Sequence, residues 1–375
     1  MLLNRRNFGK LALAAASAPT GALLAGNRIS SIFSGVQIST ITYSYGNLPG
    51  ANNAPDLLKY IVEDGISAIE LMASVAESYA GSPSLFGRGP GGSGGPFGRG
   101  GSGGFFGPGG RGSSGGFGFG GPGERGGFGQ RGGGPRGPGG PGGGPGGGRP
   151  LSPEQQAAMQ AAADTLKKWR LSVSMDKYRE LRRMYNEAGV NIYCLKLEPQ
   201  PGMTDEELEY IFSAARALGA SQVSLELSPD TAFTQRLGDF ALKHSMVAAY
   251  HAHEQATLTA WDTVLAQSMG NAVNLDCGHY LAGTGQSPIP AIEKLHSRIA
   301  SIHLKDKTVA VSGVSRGANL PWGTGQTPII EILQLMKKNK YKFPAAIELE
   351  YQIPEGSSAV LEVRKCLEYC RKALA

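Results

Sequence analysis

Cysteine is scarce in this 375-residue chain: Cys194, Cys277, Cys366 and Cys370 are all it has. Cys366 and Cys370 sit four apart in a helical stretch with no matching pair elsewhere. That spacing excludes a disulfide framework and a zinc ribbon, and implies four buried or half-buried thiols. Histidine is missing from the first two thirds of the chain, for none of the six precedes His244. A run apolar enough to span a bilayer is also lacking. The stretch Leu11 to Ala18 is too short, and Pro19 interrupts it, so no stable membrane span is expected. Net charge disappears once the chain is divided. Residues 86–150 hold seven Arg, one Glu and no Lys, and the totals of 36 basic and 30 acidic residues then leave 29 of each. The basic balance therefore implies no acidic partner for the folded part, and no nucleic acid is expected.

The N-terminus reads as a targeting segment. Asn4-Arg5-Arg6-Asn7-Phe8-Gly9-Lys10 precedes the apolar run, and Ala16-Ser17-Ala18 supplies small residues at signal-peptidase spacing. Paired arginines followed by Phe8 point to the twin-arginine route, although Asn4 and Gly9 depart from the usual flanks. Residues 1–30 are thus expected to be a removed signal, with the mature chain periplasmic or extracellular. From 86 to 150 the chain is Gly, Pro, Ser, Phe and Arg without hydrophobic periodicity. Such a segment cannot bury enough apolar surface to offset its ordering entropy, so a disordered insertion is expected. Loop closure cost grows slowly with length, so a host domain tolerates it. What remains, 31–85 and 151–375, is close to the size of one (β/α)8 barrel, about 250 residues.

That remainder alternates β-rich runs with amphipathic helical runs, the pattern of a parallel sheet. Strands are expected at Val36–Tyr45, Ser67–Met72, Asn191–Glu198, Gln222–Ser228, Met246–Glu254, Ala272–Cys277, Ala300–Lys305 and Ala345–Tyr351, with helices such as Asp205–Leu218 between them. Period-2 parity sets Ile69 and Leu71 against Ala68 and Glu70, Leu195 and Leu197 against Lys196 and Glu198, and Ile302 and Leu304 against Ser301, His303 and Lys305. One face is apolar, as a sheet under helices requires. The other turns polar toward each strand's C-terminal end, where a barrel builds its site. Eight such units predict an α/β fold, a closed (β/α)8 TIM barrel.

His251, Asp276, His303 and Glu348 come from four successive strands, each near its C-terminal end. Adjacent strands lie about 4.8 Å apart, so these side chains can converge on one ion. Two imidazoles and two carboxylates suit a divalent Mn2+, Co2+ or Zn2+. Lys305 is placed to meet a substrate oxygen or carboxylate or to form a salt bridge to Glu348 or Asp306, and Trp322 to stack on a ligand or pack over the rim. Glu70, Glu198 and Glu226 face inward and can shape a pocket. By parity, Glu254 faces away from His251 and His253.

Five segments occur in order: Tyr250-His251-Ala252-His253, Asn274-Leu275-Asp276-Cys277-Gly278-His279, Ile302-His303-Leu304-Lys305-Asp306, Pro321-Trp322-Gly323-Thr324-Gly325 and Ile347-Glu348-Leu349-Glu350. Together they resemble the xylose isomerase-like sugar phosphate isomerase/epimerase family across residues 36–80 and 151–375. The resemblance implies one divalent ion, a small-molecule sugar substrate, and proton abstraction next to a carbonyl through an enediolate. It also implies metal-bound Glu on strands five and eight as acid and base. Glu348 is present, but His251 stands at the strand-five position. The second proton carrier then falls to His253, His279, Lys305 or Glu226. The resulting expectation is an exported, divalent-metal-dependent isomerase or epimerase of a sugar or keto-sugar, with Glu348, His279 and His253 catalytic and Lys305, Trp322 and Glu226 binding substrate. The alternatives are a metal-dependent lyase or hydrolase of oxidised (3-keto) glycosides and a non-catalytic sugar-binding barrel. Endonuclease IV shares the barrel but needs early-strand His ligands that this chain lacks. The sequence does not set the oligomeric state.

Overall fold

The computed structural model describes residues 29–83, 152–311 and 316–375. The signal segment expected at 1–30 lies outside the described residues but for its last two, and the insertion expected at 86–150 lies outside them entirely. The chain divides into one compact unit of residues 1–83 with 163–375 and another of 84–162. The described part of the second, 152–162, is helical from Pro153 onward.

Eight parallel strands form the centre of the first unit. They are β1 (Val36–Ile41), β2 (Ala68–Met72), β3 (Asn191–Lys196), β4 (Gln222–Glu226), β5 (Val247–His251), β6 (Asn271–Asp276), β7 (Ile299–Leu304) and β8 (Ala345–Ile347). Each pairs with its sequence neighbours, β8 also pairs with β1, and pairing of β1 with β2 through Thr40↔Ile69 completes the ring. The expected (β/α)8 barrel is therefore the observed fold. Around it run α1 (Ala54–Asp64), α2 (Ala73–Tyr79), the part of α3 (Pro153–Ser172) from residue 163 onward, α4 (Asp176–Glu187), α5 (Asp205–Leu218), α6 (Thr231–Lys243), α7 (Asp262–Gln267), α8 (Cys277–Thr284), α9 (Ile289–Leu295), α10 (Ile329–Asn339) and α11 (Ala359–Leu374). Among the described residues no helix is long and apolar enough to cross a membrane.

The alternation read from the sequence is the packing that results. Ile69, Leu71, Leu195, Val223, Leu225, Leu275, Ile302, Leu304 and Ile347 are buried in one hydrophobic core. The inward positions are polar and form layers, as barrel interiors do. Gln222 donates to Ser301 Oγ at 2.8 Å in a lower layer, and Asn274 to Ser224 Oγ at 3.2 Å above it. All four cysteines are buried and unbridged, as expected.

Every strand but β2 stops before the sequence suggested, three of them by three residues or more. β1 ends at Ile41, and Thr42–Tyr45 turns into a 3-10 helix; β5 ends at His251 rather than Glu254, and β8 at Ile347 rather than Tyr351. A strand persists only while a neighbour supplies hydrogen bonds. The β4–β5 pairing ends at Glu226↔His251, and both pairings of β8 end at Ile347. β-Favouring side chains continue past those points, but the ladder does not.

One largely buried ion pair ties α3 to α2. Arg170 of α3 donates to both oxygens of Glu77 of α2 at 2.8 and 3.1 Å, and Tyr210 of α5 donates to Glu77 Oε1 at 2.9 Å. Breaking a buried pair leaves an uncompensated charge, which typically costs 3–5 kcal/mol. Arg170→Met is therefore expected to lower unfolding stability by about 3 kcal/mol in denaturant titration. A loss under about 1 kcal/mol would show that water reaches Glu77 freely.

Candidate metal centre

Register sets the row of side chains at the barrel's rim. Glu226 of β4 lies opposite His251 of β5, and Asp276 of β6 opposite His303 of β7. Between β5 and β6 the register is staggered, His251 pairing with Asn274, as the tilt of a closed sheet requires. Glu348 follows β8 directly, two residues beyond Ala346, the partner of His303. His251, Asp276, His303 and Glu348 thereby place one ligand atom each within 4.8 Å of all the others, and all four residues are buried.

Two of the contacts within this cluster have the spacing of a coordination shell, and a third is wider. Donors held about 2.1 Å from a common ion lie about 3.0–3.4 Å apart in octahedral or tetrahedral arrangements. Here His251 Nε2 is 3.3 Å from Asp276 Oδ2, and His303 Nδ1 is 3.0 Å from Glu348 Oε2 and 4.0 Å from Asp276 Oδ2. The other nitrogen of each ring meets a carboxylate from an earlier strand. His303 Nε2 is 2.8 Å from Glu70 Oε2, and His251 Nδ1 is 3.3 Å from Glu226 Oε2. That is the outer carboxylate that orients a metal-binding imidazole and raises its basicity. The donor set fits a divalent ion.

Electrostatics describe the same cluster without one. Burial opposes charge on His251, but Glu226 and Asp276 outweigh it and raise the ring to about 9. Burial likewise opposes charge on His303, where Glu70 and Glu348 raise it to about 10. Asp276 is held well below the usual carboxylate range despite burial, chiefly by Lys305. Glu348 is lowered too, against burial, by Lys305 and His303. Two imidazolium charges thus supply what one divalent ion would.

Lys305, the residue after β7, does not pair with Asp306. Its Nζ lies 3.0 Å from Asp276 Oδ2, 2.9 Å from Glu348 Oε2 and 2.8 Å from Glu350 Oε2, with the residue 2% exposed. The Asp276-Cys277-Gly278-His279 segment makes room for it, since a Cβ on Gly278 would collide with the Lys305 side chain. Asp276 has two roles: Oδ2 faces the cluster, while Oδ1 caps α8 by accepting from His279 N at 2.7 Å. Asp306 is absorbed by the Gly-rich loop. Its carboxylate accepts from Gly323 N and Gly325 N at 2.8 Å each and from Thr327 N at 3.1 Å. Those N–H groups are therefore spent on a carboxylate of the chain's own.

His279 is buried, with Nδ1 3.1 Å from Glu254 Oε1 and no hydrogen-bond partner on Nε2. Burial lowers its pKa to about 4, aided by the charges of Lys305 and His251 against the pull of Asp276. Glu254 therefore faces the site, contrary to the parity expectation. Strand parity applies only as far as His251, and the chain turns after it. His253 is half-buried, Nδ1 3.2 Å from Glu226 Oε2, with its ring 4.7 Å from that of His279. Lys196 Nζ lies 2.9 Å from Glu226 Oε1. Trp322 packs edge-on against Tyr369 of α11 at 5.9 Å. Glu350 went unranked in the sequence although it shares the parity of Glu348, the signal that would have found it.

No family model matches the chain, and no curated protein matches it in sequence. Solved structures do. The chain is similar to the probable 3-DHS dehydratase AsbF, involved in petrobactin synthesis, from Bacillus anthracis. That match has 13% identity and a TM-score of 0.51, covering 89% of this chain and 98% of that one. It is similar to the IolI protein with a bound zinc atom, at 11% identity and a TM-score of 0.52, covering 90% and 98%. A third is the 3-keto-D-glucoside 4-epimerase YcjR from E. coli, at 10% identity and a TM-score of 0.51, covering 90% and 99%. At these identities the likeness is one of fold, and it bears out the expected (β/α)8 barrel.

Metal uptake must displace the protons of both rings, because a ligating imidazole is neutral. Below about 9, affinity is expected to rise with pH, approaching a hundredfold per pH unit as two protons are released per ion. Chelator competition at pH 6, 7 and 8 measures this. An affinity flat across that range would mean the rings are already neutral.

Proposed function

We propose that the chain is an exported enzyme that uses one divalent ion to isomerise or epimerise a sugar or keto-sugar by moving a proton beside its carbonyl. The observation that carries this is the convergence of His251, Asp276, His303 and Glu348 from four successive strand ends. The epimerase and the dehydratase named among the similar structures lend support as proteins that share this fold. A divalent ion held by those four residues would draw electron density from a sugar's carbonyl and neighbouring hydroxyl, acidifying the C–H between them. Export rests on Arg5-Arg6, the apolar run and Ala16-Ser17-Ala18.

The chain's own residues divide the remaining work. Glu254 fixes His279 with its proton on Nδ1, which leaves Nε2, 3.9 Å from Glu350 Oε2, as a buried acceptor without a hydrogen-bond partner. A neutral imidazole oriented by a carboxylate is suited to take a proton. Glu348 and His253 are the other carriers, His253 having Glu226 behind it. Glu226 and Lys305 line the space where a sugar's hydroxyls would lie, and Trp322 stands on the Gly-rich loop after β7. A second reading, a lyase of 3-keto glycosides, is favoured by one observation. His251 replaces the second ligand Glu, so one open base at His279 suits a single abstraction better than a two-base epimerisation.

Elemental analysis of the purified protein is expected to find about one divalent ion per chain, the stoichiometry of a single four-donor site. His303→Ala and Glu348→Ala are each expected to lose it. With the ion bound, keto-sugars in deuterated water should exchange the hydrogen next to the carbonyl, and His279→Ala should slow this by about 100-fold or more. A folded protein that takes up no ion would favour the sugar-binding barrel instead.

A further inference from the structure

The Lys305 ammonium has three N–H donors and meets three carboxylate oxygens, on Asp276, Glu348 and Glu350, all at 2.8–3.0 Å. Two of these oxygens, Asp276 Oδ2 and Glu348 Oε2, are the ones that face the histidine nitrogens of the cluster. An ion bonded to them at about 2.1 Å sits within about 5 Å of Nζ, where like charges repel. The stem cannot swing the ammonium clear on the α8 side, because it runs against Gly278. Glu350 is the one partner of the three outside the four-donor set.

We propose that Lys305 is an internal stand-in for the ion. It holds Asp276 and Glu348 in place while the centre is empty and withdraws onto Glu350 when an ion arrives. The inference rests on the metal-centre reading above and deepens it. Ion uptake then releases two N–H donors beside the reacting site, and these are what a sugar oxygen meets. Loading is therefore ordered, ion before sugar. Glu350 acts through Lys305 and is a positioning residue.

The test compares dissociation constants for Mn2+ and Zn2+, by chelator competition, in the wild type, Lys305→Met and Glu350→Gln, with melting temperatures taken with and without ion. Removing the competing charge should tighten ion binding in Lys305→Met by roughly tenfold or more. The same change should lower the melting point of the ion-free form, so that the ion raises it by more than in the wild type. Glu350→Gln leaves the ammonium only the ligand oxygens and should weaken ion binding by roughly tenfold. Glu350→Gln made in the Lys305→Met background should leave ion binding close to that of Lys305→Met, whereas a carboxylate acting by its own charge weakens binding in both backgrounds. Unchanged or weaker binding in Lys305→Met, or unchanged binding in Glu350→Gln, overturns the inference while leaving the metal centre standing. If Lys305→Met does not fold without ion, Glu350→Gln decides alone. A wild type that binds neither ion removes the metal centre and this inference together.

Discussion

A carboxylate taken out of water must meet a cation or a set of N–H donors, or give up its charge. The upper interior of this barrel is organised by that requirement. Glu70 is answered by His303, Glu226 by His251 and Lys196, and Asp276 and Glu348 by Lys305. Most members have more than one partner, Glu226 meeting Lys196, His251 and His253 and His303 meeting Glu70 and Glu348, so the positions of the rim side chains are mutually fixed. A site preorganised in this way has already met the cost of holding its geometry before a substrate arrives.

Backbone and site share residues, which ties the chemistry to the fold. Asp276 closes the first turn of α8 with one oxygen and faces the cluster with the other. Asp306 holds the Gly-rich loop after β7 through three backbone N–H groups, and the loop's Trp322 then packs on α11. Such loops sit on a rigid frame because their own side chains are part of it.

The barrel and its cluster were legible in the sequence because both depend on short, regular relations. Period-2 parity decides which face is buried, and four donors at matched strand ends need no long-range information beyond the ring itself. Where the chain stops obeying parity, legibility fails. Glu254 lies three residues past the last paired position of β5, and its direction is set by a turn that parity does not describe. Glu350 also lies beyond β8 but keeps the parity of Glu348, and its contact with Lys305 shows its use. The choice for Lys305 between a substrate and a salt bridge turned on distances in space. The loop's Gly323 and Gly325 could be recognised as special, but not as the cradle of Asp306.

Gly278 gives the two central motifs a shared fate. A side chain there and the stem of Lys305 would claim one volume, so drift at either position is constrained by the other. A descendant of this chain that acquires alanine at 278 has to shift the backbone at residue 305 as well as its side chain. Losing the lysine alone does not lift the constraint, because the carbonyl oxygen of residue 305 stands 2.8 Å from where that Cβ would lie.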